Sequence, residues 1–305
     1  MKLASIDIGS NAARLLLVNV FEHNYKTVFR KESLVRVPVR LGFDTFSTGE
    51  ISLARTDNLL KTMVAFKYLM EVHDVQGYKA CATAAMREAK NGSDIVKKIH
   101  ALTGIQVEIV SGRREASIIY SNRVEEQLNH NNTYLYIDIG GGSTELSLFH
   151  KGKVIDTASF PIGTIRLLYK QVREGDWLPM KKMLKKISDT YTTIYGIGTG
   201  GNINKLYKLF GNTKDHSLSR KSVREAYQII SGYSFTERVS ILGLKPDRAD
   251  VIVPAAEILL LVTKWAGIEK TFVPKIGLAD GLIHELFNEL YNKPVTEIFY
   301  EDDKL

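Results

Sequence analysis

Two stretches of this chain repeat one pattern of apolar and polar positions. Residues 4–19 read ASIDIGSNAARLLLVN, and residues 135–150 read LYIDIGGGSTELSLFH. Each opens on an apolar run ending in Ile-Asp-Ile-Gly. Each then passes through small residues, Ser10-Asn11 in one and Gly141-Gly142 in the other, and resumes as Leu15–Val18 or Leu146–Phe149. In Glu145-Leu146-Ser147-Leu148 the period is two, which predicts a half-buried strand rather than a helix. Strand, tight turn and strand thus occur twice, with Asp7 and Asp138 just before the turns, and the spacing points to two related halves.

Elsewhere the pattern alternates between the two periods. Residues 51–73 predict an amphipathic helix with Leu53, Leu59, Leu60, Met63, Val64, Phe66 and Leu69 on its apolar side. Tyr78–Thr83 predicts a short strand, Ala84–Ala89 a helical turn, and a further helix starts near Ser93 as N-cap. Val107–Val110 is a strand, and Ser111 opens the next helix. The second half predicts a strand at Lys153–Phe160 and a helix from Thr164. A helix follows in which Lys181, Lys182, Lys185 and Lys186 oppose Met183, Leu184 and Ile187, the pattern of a solvated face. Thr192–Ile197 is a strand running into Gly198–Asn202 and a helix with Ile203 and Leu206. Helices fill 219–231 and 247–264, and the chain closes with a strand near Phe272, a Gly277–Gly281 turn and a final helix. Strands alternating with helices predict an α/β fold.

At 305 residues there is enough chain for two ordinary domains. The polar stretch Glu125–Asn132 sets the expected division, 1–127 and 128–305, with the final helix able to pack back on the first domain. A net charge of +7 suits an anionic partner without naming one. The basic residues are scattered and no helix-turn-helix, RNA-recognition or zinc motif occurs, so no specific nucleic-acid partner is expected. The single cysteine, Cys81, beside Ala82 and Ala84, reads as a small buried residue and fits a reducing compartment. MKLASIDIGS lacks the long apolar core of a signal peptide, and Asp250–Lys264 falls short of the roughly 20 residues of a membrane span. A cytoplasmic protein with no membrane partner is therefore expected.

Three glycine-bearing turns stand at predicted strand ends, at 9–11, 140–143 and 198–202. Ligands of α/β folds collect at such ends. Gly9, Gly140, Gly141, Gly142, Gly198 and Gly200 let backbone N–H groups approach an anion. No Walker A sequence is present, and these first two turns lead into strands rather than a helix. Ser10, Asn11, Arg14, Ser143, Thr144 and Thr199 can complete a phosphate cradle, with Arg87 as a bidentate donor. Asp7, Asp138 and Glu145 can hold a magnesium ion through oxygen ligands and waters. Glu115 reads either as a general base or as an acidic residue favoured at a helix start. A cleft with one turn from each half would wrap a chain of phosphates.

Seven ordered segments resemble the exopolyphosphatase and guanosine pentaphosphate phosphohydrolase family, Ppx/GppA, in a short two-domain form. They are SIDIGSNAARLLLV at 5–18, ATAAMREAKNG at 82–92, SGRREASIIY at 111–120, YIDIGGGSTELSLF at 136–149, FPIGTIRL at 160–167, GIGTGGNINKL at 196–206 and RADVIVPAAEILL at 248–260. The resemblance implies two actin-like, ribonuclease H-like domains of the acetate kinase, sugar kinase, chaperone and actin superfamily, with the active site in the cleft. It implies hydrolysis, assisted by magnesium or manganese, of the terminal phosphoanhydride of inorganic polyphosphate, here of short chains, with release of orthophosphate. The alternatives are the same reaction on guanosine pentaphosphate, the nucleotide of the stringent response, and a low-turnover polyphosphate or nucleotide sensor. A homodimer is also implied. By motif position the family's catalytic glutamate is Glu115, its Ser-Asn pair Ser10-Asn11 and its arginine Arg87, while DIGGGSTE maps unchanged onto Asp138–Glu145. Three departures stand out. Arg114 replaces a usual glutamate, where a cation beside Glu115 is expected to lower its pKa and add a phosphate contact. Gly277-Leu278-Ala279-Asp280-Gly281 carries aspartate for glutamate. Extra C-terminal helical domains of long family members are not in these 305 residues, from which poor processivity is expected.

Overall fold

The computed structural model describes residues 1–23, 26–122, 129, 131–274 and 276–291. It opens with β1 (Lys2–Ile8), β2 (Ala13–His23), β3 (Lys26–Val37), α1 (Leu41–Thr48), α2 (Leu53–Val72), β4 (Gly77–Ala82), α3 (Ala84–Glu88), α4 (Gly92–Thr103), β5 (Glu108–Ile109) and α5 (Gly112–Tyr120). There follow β6 (Thr133–Ile139), β7 (Thr144–His150), β8 (Lys153–Phe160), α6 (Thr164–Leu168), α7 (Trp177–Thr190), β9 (Ile194–Thr199), α8 (Gly201–Phe210), β10 (Ser217–Ser219), α9 (Arg220–Gly232), α10 (Phe235–Ser240), α11 (Pro246–Ala249), α12 (Ile252–Trp265), β11 (Lys270–Phe272) and α13 (Leu278–Tyr291). The chain divides into one unit of Met1–Arg123 with Ile276–Leu305 and another of Val124–Lys275. α13 belongs to the first unit. The 127/128 division expected from the sequence lies outside the described residues.

The repeat is visible in the sheet order. The first sheet runs β3-β2-β1-β4-β5 and the second β10-β11-β9-β6-β7-β8. In each, the repeated segment forms an antiparallel pair, β1 with β2 and β6 with β7, extended by a third antiparallel strand. Parallel strands then continue from the first strand of the pair, β4 beside β1 and β9 beside β6. Both units therefore have the expected actin-like α/β arrangement.

Helices bury both faces of the first sheet. Ala4, Ile6, Ile8, Leu15 and Leu17 pack with Leu59, Met63 and Phe66 of α2 and Ile95 and Ile99 of α4. On the other side Leu3, Leu16, Val18 and Phe29 meet Ile283 and Phe287 of α13. In the second unit Leu135, Ile137, Ile139, Leu146 and Leu148 share a core with α12. β7 is accordingly not half-buried as its alternation predicts: Glu145 and Ser147 on its polar face are 3% and 6% exposed. Burial of a carboxylate there demands partners, and these are described below.

Several boundaries differ from the expected ones, each for a local reason. Leu53 is 84% exposed because it lies in the first turn of α2, just after the Ser52 cap, ahead of the packed face. α4 starts one residue before Ser93, with Asn91 at its cap position. The Asn91 amide is engaged by the backbone of Ile51, donating to its carbonyl at 2.8 Å and accepting from its N–H at 3.0 Å. The helix expected over 247–264 is two, α11 and α12. Gly277–Gly281 is not a separate turn but the entry into α13. There Asp280 Oδ2 accepts from Gly277 N at 2.8 Å, which satisfies one of the orphan donors of the helix start, so aspartate serves here in place of glutamate. β3 and α1 were not expected at all. Among the described residues no helix is long and apolar enough to cross a membrane.

Candidate active site

In the first unit the turn Gly9–Ala12 joins β1 to β2. Gly9 N donates to Ala12 O at 3.0 Å, and the Ser10 and Asn11 carbonyls accept from Gly42 N at 2.8 Å and Arg40 N at 2.9 Å. The unexpected α1 therefore begins as a brace on this turn. Asp7, one residue before the end of β1, lies directly opposite Arg14 of β2, and the two side chains form a salt bridge. Asp7 thus meets a cation of its own chain, and the Arg14 guanidinium is committed to that carboxylate. Cys81, the register partner of Asp7 on β4, is fully buried, and burial pushes its thiol well above the ordinary value, so it is no nucleophile.

Glu115 sits in the first turn of α5, only 7% exposed. Ser111 caps the helix by accepting from Arg114 N at 3.2 Å. Arg87 of α3 donates through Nη1 to Val110 O at 2.7 Å and lies 4.0 Å from Glu115 Oε2. Arg87 and Glu115 are thereby brought together from separate motifs.

Arg114 does not share that environment. Successive helical residues diverge by roughly 100°, and its guanidinium forms a bidentate pair with Glu285 of α13 at 2.7 and 2.6 Å. This pair ties α5 to α13 and engages the guanidinium that was expected to add a phosphate contact. Arg114→Ala is expected to cost about 1 kcal/mol of stability, since the pair is about a third exposed on the arginine side. Urea unfolding should register that loss while kcat stays within twofold. A tenfold fall in kcat would return Arg114 to the site.

In the second unit Asp138, one residue before the end of β6, lies opposite Glu145 on β7 and Thr199 on β9. Where the first turn pairs aspartate with arginine, the second pairs two carboxylates, whose oxygens lie within 4.8 Å of each other. Glu145 Oε1 accepts from Ser143 Oγ at 2.6 Å and Ser159 Oγ at 2.9 Å, and Asp138 Oδ1 accepts from Thr199 Oγ1 at 3.0 Å. A hard, all-oxygen donor pair held this close fits a divalent cation. Three of the hydroxyls foreseen as phosphate contacts are used within the protein: Ser143 serves Glu145, Thr199 serves Asp138, and buried Thr144 donates to Ile162 O at 2.6 Å.

Gly200 must be glycine. Its φ is +91°, and a methyl group there would stand 2.8 Å from Asp138 Oδ1. Gly200→Ala is expected to push the carboxylate aside and weaken divalent-cation binding by roughly ten- to hundredfold, as loss of a ligand's support does elsewhere. Calorimetric titration with the cation checks this, and unchanged affinity would remove Asp138 from the cation site. Gly198 packs closely on Ile203 and Thr271, a structural role.

The backbone of Gly140–Ser143 supplies the remaining feature. The carbonyls of Gly140, Gly141 and Gly142 accept from Thr164 N at 3.0 Å, Ile165 N at 2.9 Å and Arg166 Nε at 2.7 Å. In a trans peptide the following N–H points opposite to its carbonyl. The amides of Gly141, Gly142 and Ser143 therefore face away from α6, and among the described residues they donate to no protein group. Successive amides presented this way form an anion-binding nest.

A family model, the Ppx/GppA phosphatase family, matches residues 18–290. The chain belongs to the Ppx/GppA phosphatase family. Among its Ppx/GppA relatives, Exopolyphosphatase 1 of Mycobacterium leprae is 25% identical over 93% of this chain and 88% of its own length. A guanosine-5'-triphosphate,3'-diphosphate pyrophosphatase of Vibrio cholerae is 23% identical over 96% of this chain. A bifunctional 3-dehydroquinate synthase/phosphatase of Fusobacterium nucleatum is 26% identical over 95%. The chain spans 60% of the Vibrio protein and 47% of the Fusobacterium protein. The crystal structure of an Aquifex aeolicus Ppx/GppA member superposes with TM-score 0.70 at 25% identity, covering 93% of this chain and 96% of that one. An exopolyphosphatase from Cytophaga hutchinsonii has the same fold, with TM-score 0.80 at 24% identity, covering 97% and 100%.

Residues that sequence reasoning passed over are Arg40 and Gly42, which brace the first turn, and Ser159 and Arg166 in the second unit. Arg166 lay within the FPIGTIRL segment, but nothing local in that segment names its carbonyl partner.

Proposed function

We propose that this protein hydrolyses the terminal phosphoanhydride of inorganic polyphosphate and releases orthophosphate. The observation that carries this is the nest at Gly141–Ser143 beside the Asp138–Glu145 carboxylate pair. Anion donors next to a cation site suit a metal-complexed phosphate. When bound by Asp138 and Glu145, magnesium or manganese supplies neutralisation of phosphate oxygens. Gly141, Gly142 and Ser143 amides hold the phosphoryl group, and Glu115 takes the proton of the attacking water. The new P–O bond forms from that water as the bridging P–O bond breaks, and the shortened chain leaves with its electron pair. Phosphoryl transfer needs little beyond such positioning and charge stabilisation.

The names of the mycobacterial and Vibrio relatives support hydrolysis on polyphosphate or on a polyphosphorylated guanosine nucleotide. Arg114 is engaged by Glu285 in a bidentate pair, and turnover measured against binding alone separates hydrolysis from the sensor reading. A cytoplasmic homodimer completes the proposal, the lone buried Cys81 fitting a reducing compartment. The test is phosphate release from polyphosphates of graded length and from guanosine pentaphosphate, with magnesium and with manganese. Higher kcat/KM on short polyphosphate is expected. Preference for the nucleotide would transfer the proposal to it, and tight binding without release from any substrate would overturn hydrolysis.

A further inference from the structure

We infer that Arg166 is a positioning residue that sets the amides of the second glycine turn for phosphate. This rests on the phosphate-hydrolase reading and extends it to a side chain that touches no reacting atom.

Three consecutive residues, Thr164, Ile165 and Arg166, take three consecutive carbonyls, those of Gly140, Gly141 and Gly142. The first two donors are backbone N–H groups, so any residue but proline supplies them. The third is the Arg166 Nε, and it fixes the peptide plane that carries the Ser143 amide. That plane is the hinge of the site, because Ser143 also donates through Oγ to Glu145 and leads directly into β7. The segment is laced down on both sides. Thr144 Oγ1 holds Ile162 O at 2.6 Å, and Gly163 lies so close to the Gly141–Gly142 peptide that a Cβ there would overlap it.

The first unit provides an internal contrast. Its turn is braced through Ser10 O and Asn11 O by the backbone donors Gly42 N and Arg40 N. In the second turn the side chain of Arg166 adds a cationic donor to the brace, at the turn that stands beside paired carboxylates. A charge-assisted bond from guanidinium to carbonyl is about twice as strong as a neutral one. It withstands the pull of a nearby anion on the adjoining amide. Without it the Gly142–Ser143 peptide is free to flip, and the nest loses one of its three donors.

The experiment compares wild type with Arg166→Ala and Arg166→Lys in three measurements. These are calorimetric binding of tripolyphosphate to metal-free protein, amide hydrogen exchange at Gly141, Gly142 and Ser143, and the thermal midpoint. Arg166→Ala is expected to weaken tripolyphosphate binding about tenfold, the effect of losing one hydrogen bond to a charged group. Exchange at Ser143 should rise while the midpoint moves little, and Arg166→Lys, which keeps a cationic donor, should recover part of the affinity. Unchanged binding and exchange in Arg166→Ala would overturn the positioning role. A wild type that binds no tripolyphosphate, with Ser143 exchange still faster in the variant, would leave the brace standing and remove the phosphate reading instead.

Discussion

Glu115→Gln is expected to lower phosphate release by about a thousandfold, within the range that a general base contributes, while leaving substrate binding nearly intact. Glutamine keeps the shape and the helix position. It cannot accept the proton that the attacking water must lose. The surroundings should survive the change, because Ser111 caps α5 through Arg114 N and Arg87 is anchored independently on Val110 O. The expected signature is therefore a fall in kcat at constant KM, with urea unfolding shifted by less than about 1 kcal/mol. Undiminished turnover would place the base elsewhere. A loss of binding would instead make Glu115 part of the substrate or cation site.

How far this site could be read from sequence depended on the distance over which each partner acts. The two strand-turn-strand copies were legible because their alternation and small residues are local, and the sheets repeat them in the same order. Glu115 and Arg87 were legible only as motif positions, since they come together from α5 and α3 with 4.0 Å between them. The partner of Arg114 was not legible, for the opposite reason. Its neighbour in sequence is Glu115, but its partner Glu285 is 171 positions away. Ser143 and Thr144 looked like free hydroxyl donors, but Ser143 donates to Glu145 two residues on, and the pairing of β7 with β8 and the path of the chain after it bring Ser159 to Glu145 and Ile162 O to Thr144. β3 escaped notice because its sequence, KTVFRKESLVRV, mixes charges with apolar residues as an edge strand does. α1 starts from Arg40 in a left-handed conformation with φ 50°, not from a recognisable cap.

Gly281→Ala is expected to destabilise the protein by about 3 kcal/mol or more, at the upper end of overpacking costs. Helix propensity alone argues the other way, since alanine is favoured over glycine by about 1 kcal/mol inside a helix. The site decides the sign. α13 crosses α5 so closely at this point that a methyl group on residue 281 would overlap the carbonyl of Ile118. That obstacle is backbone, which cannot rotate aside. The neighbouring bonds also resist a shift: Ser5 Oγ donates to Ala279 O at 2.7 Å, Asn122 Nδ2 to Gly277 O at 3.1 Å, and Lys31 pairs with Asp280 at 2.8 Å. Relief would have to come from tilting α13 or α5, and α5 carries Glu115 one turn before Ile118. A drop of roughly 6–12 °C in Tm should follow, accompanied by a lower kcat because the helix bearing the base is displaced. Gly232→Ala is the control. It ends α9 with open space around it, so the propensity gain should appear there unopposed. A Gly281→Ala protein as stable as its parent would mean that α13 does not press on α5 at this crossing, and the link from α13 to the position of Glu115 would then rest on the Arg114–Glu285 pair and the bonds of Ser121 and Asn122 to Gly281 and Gly277.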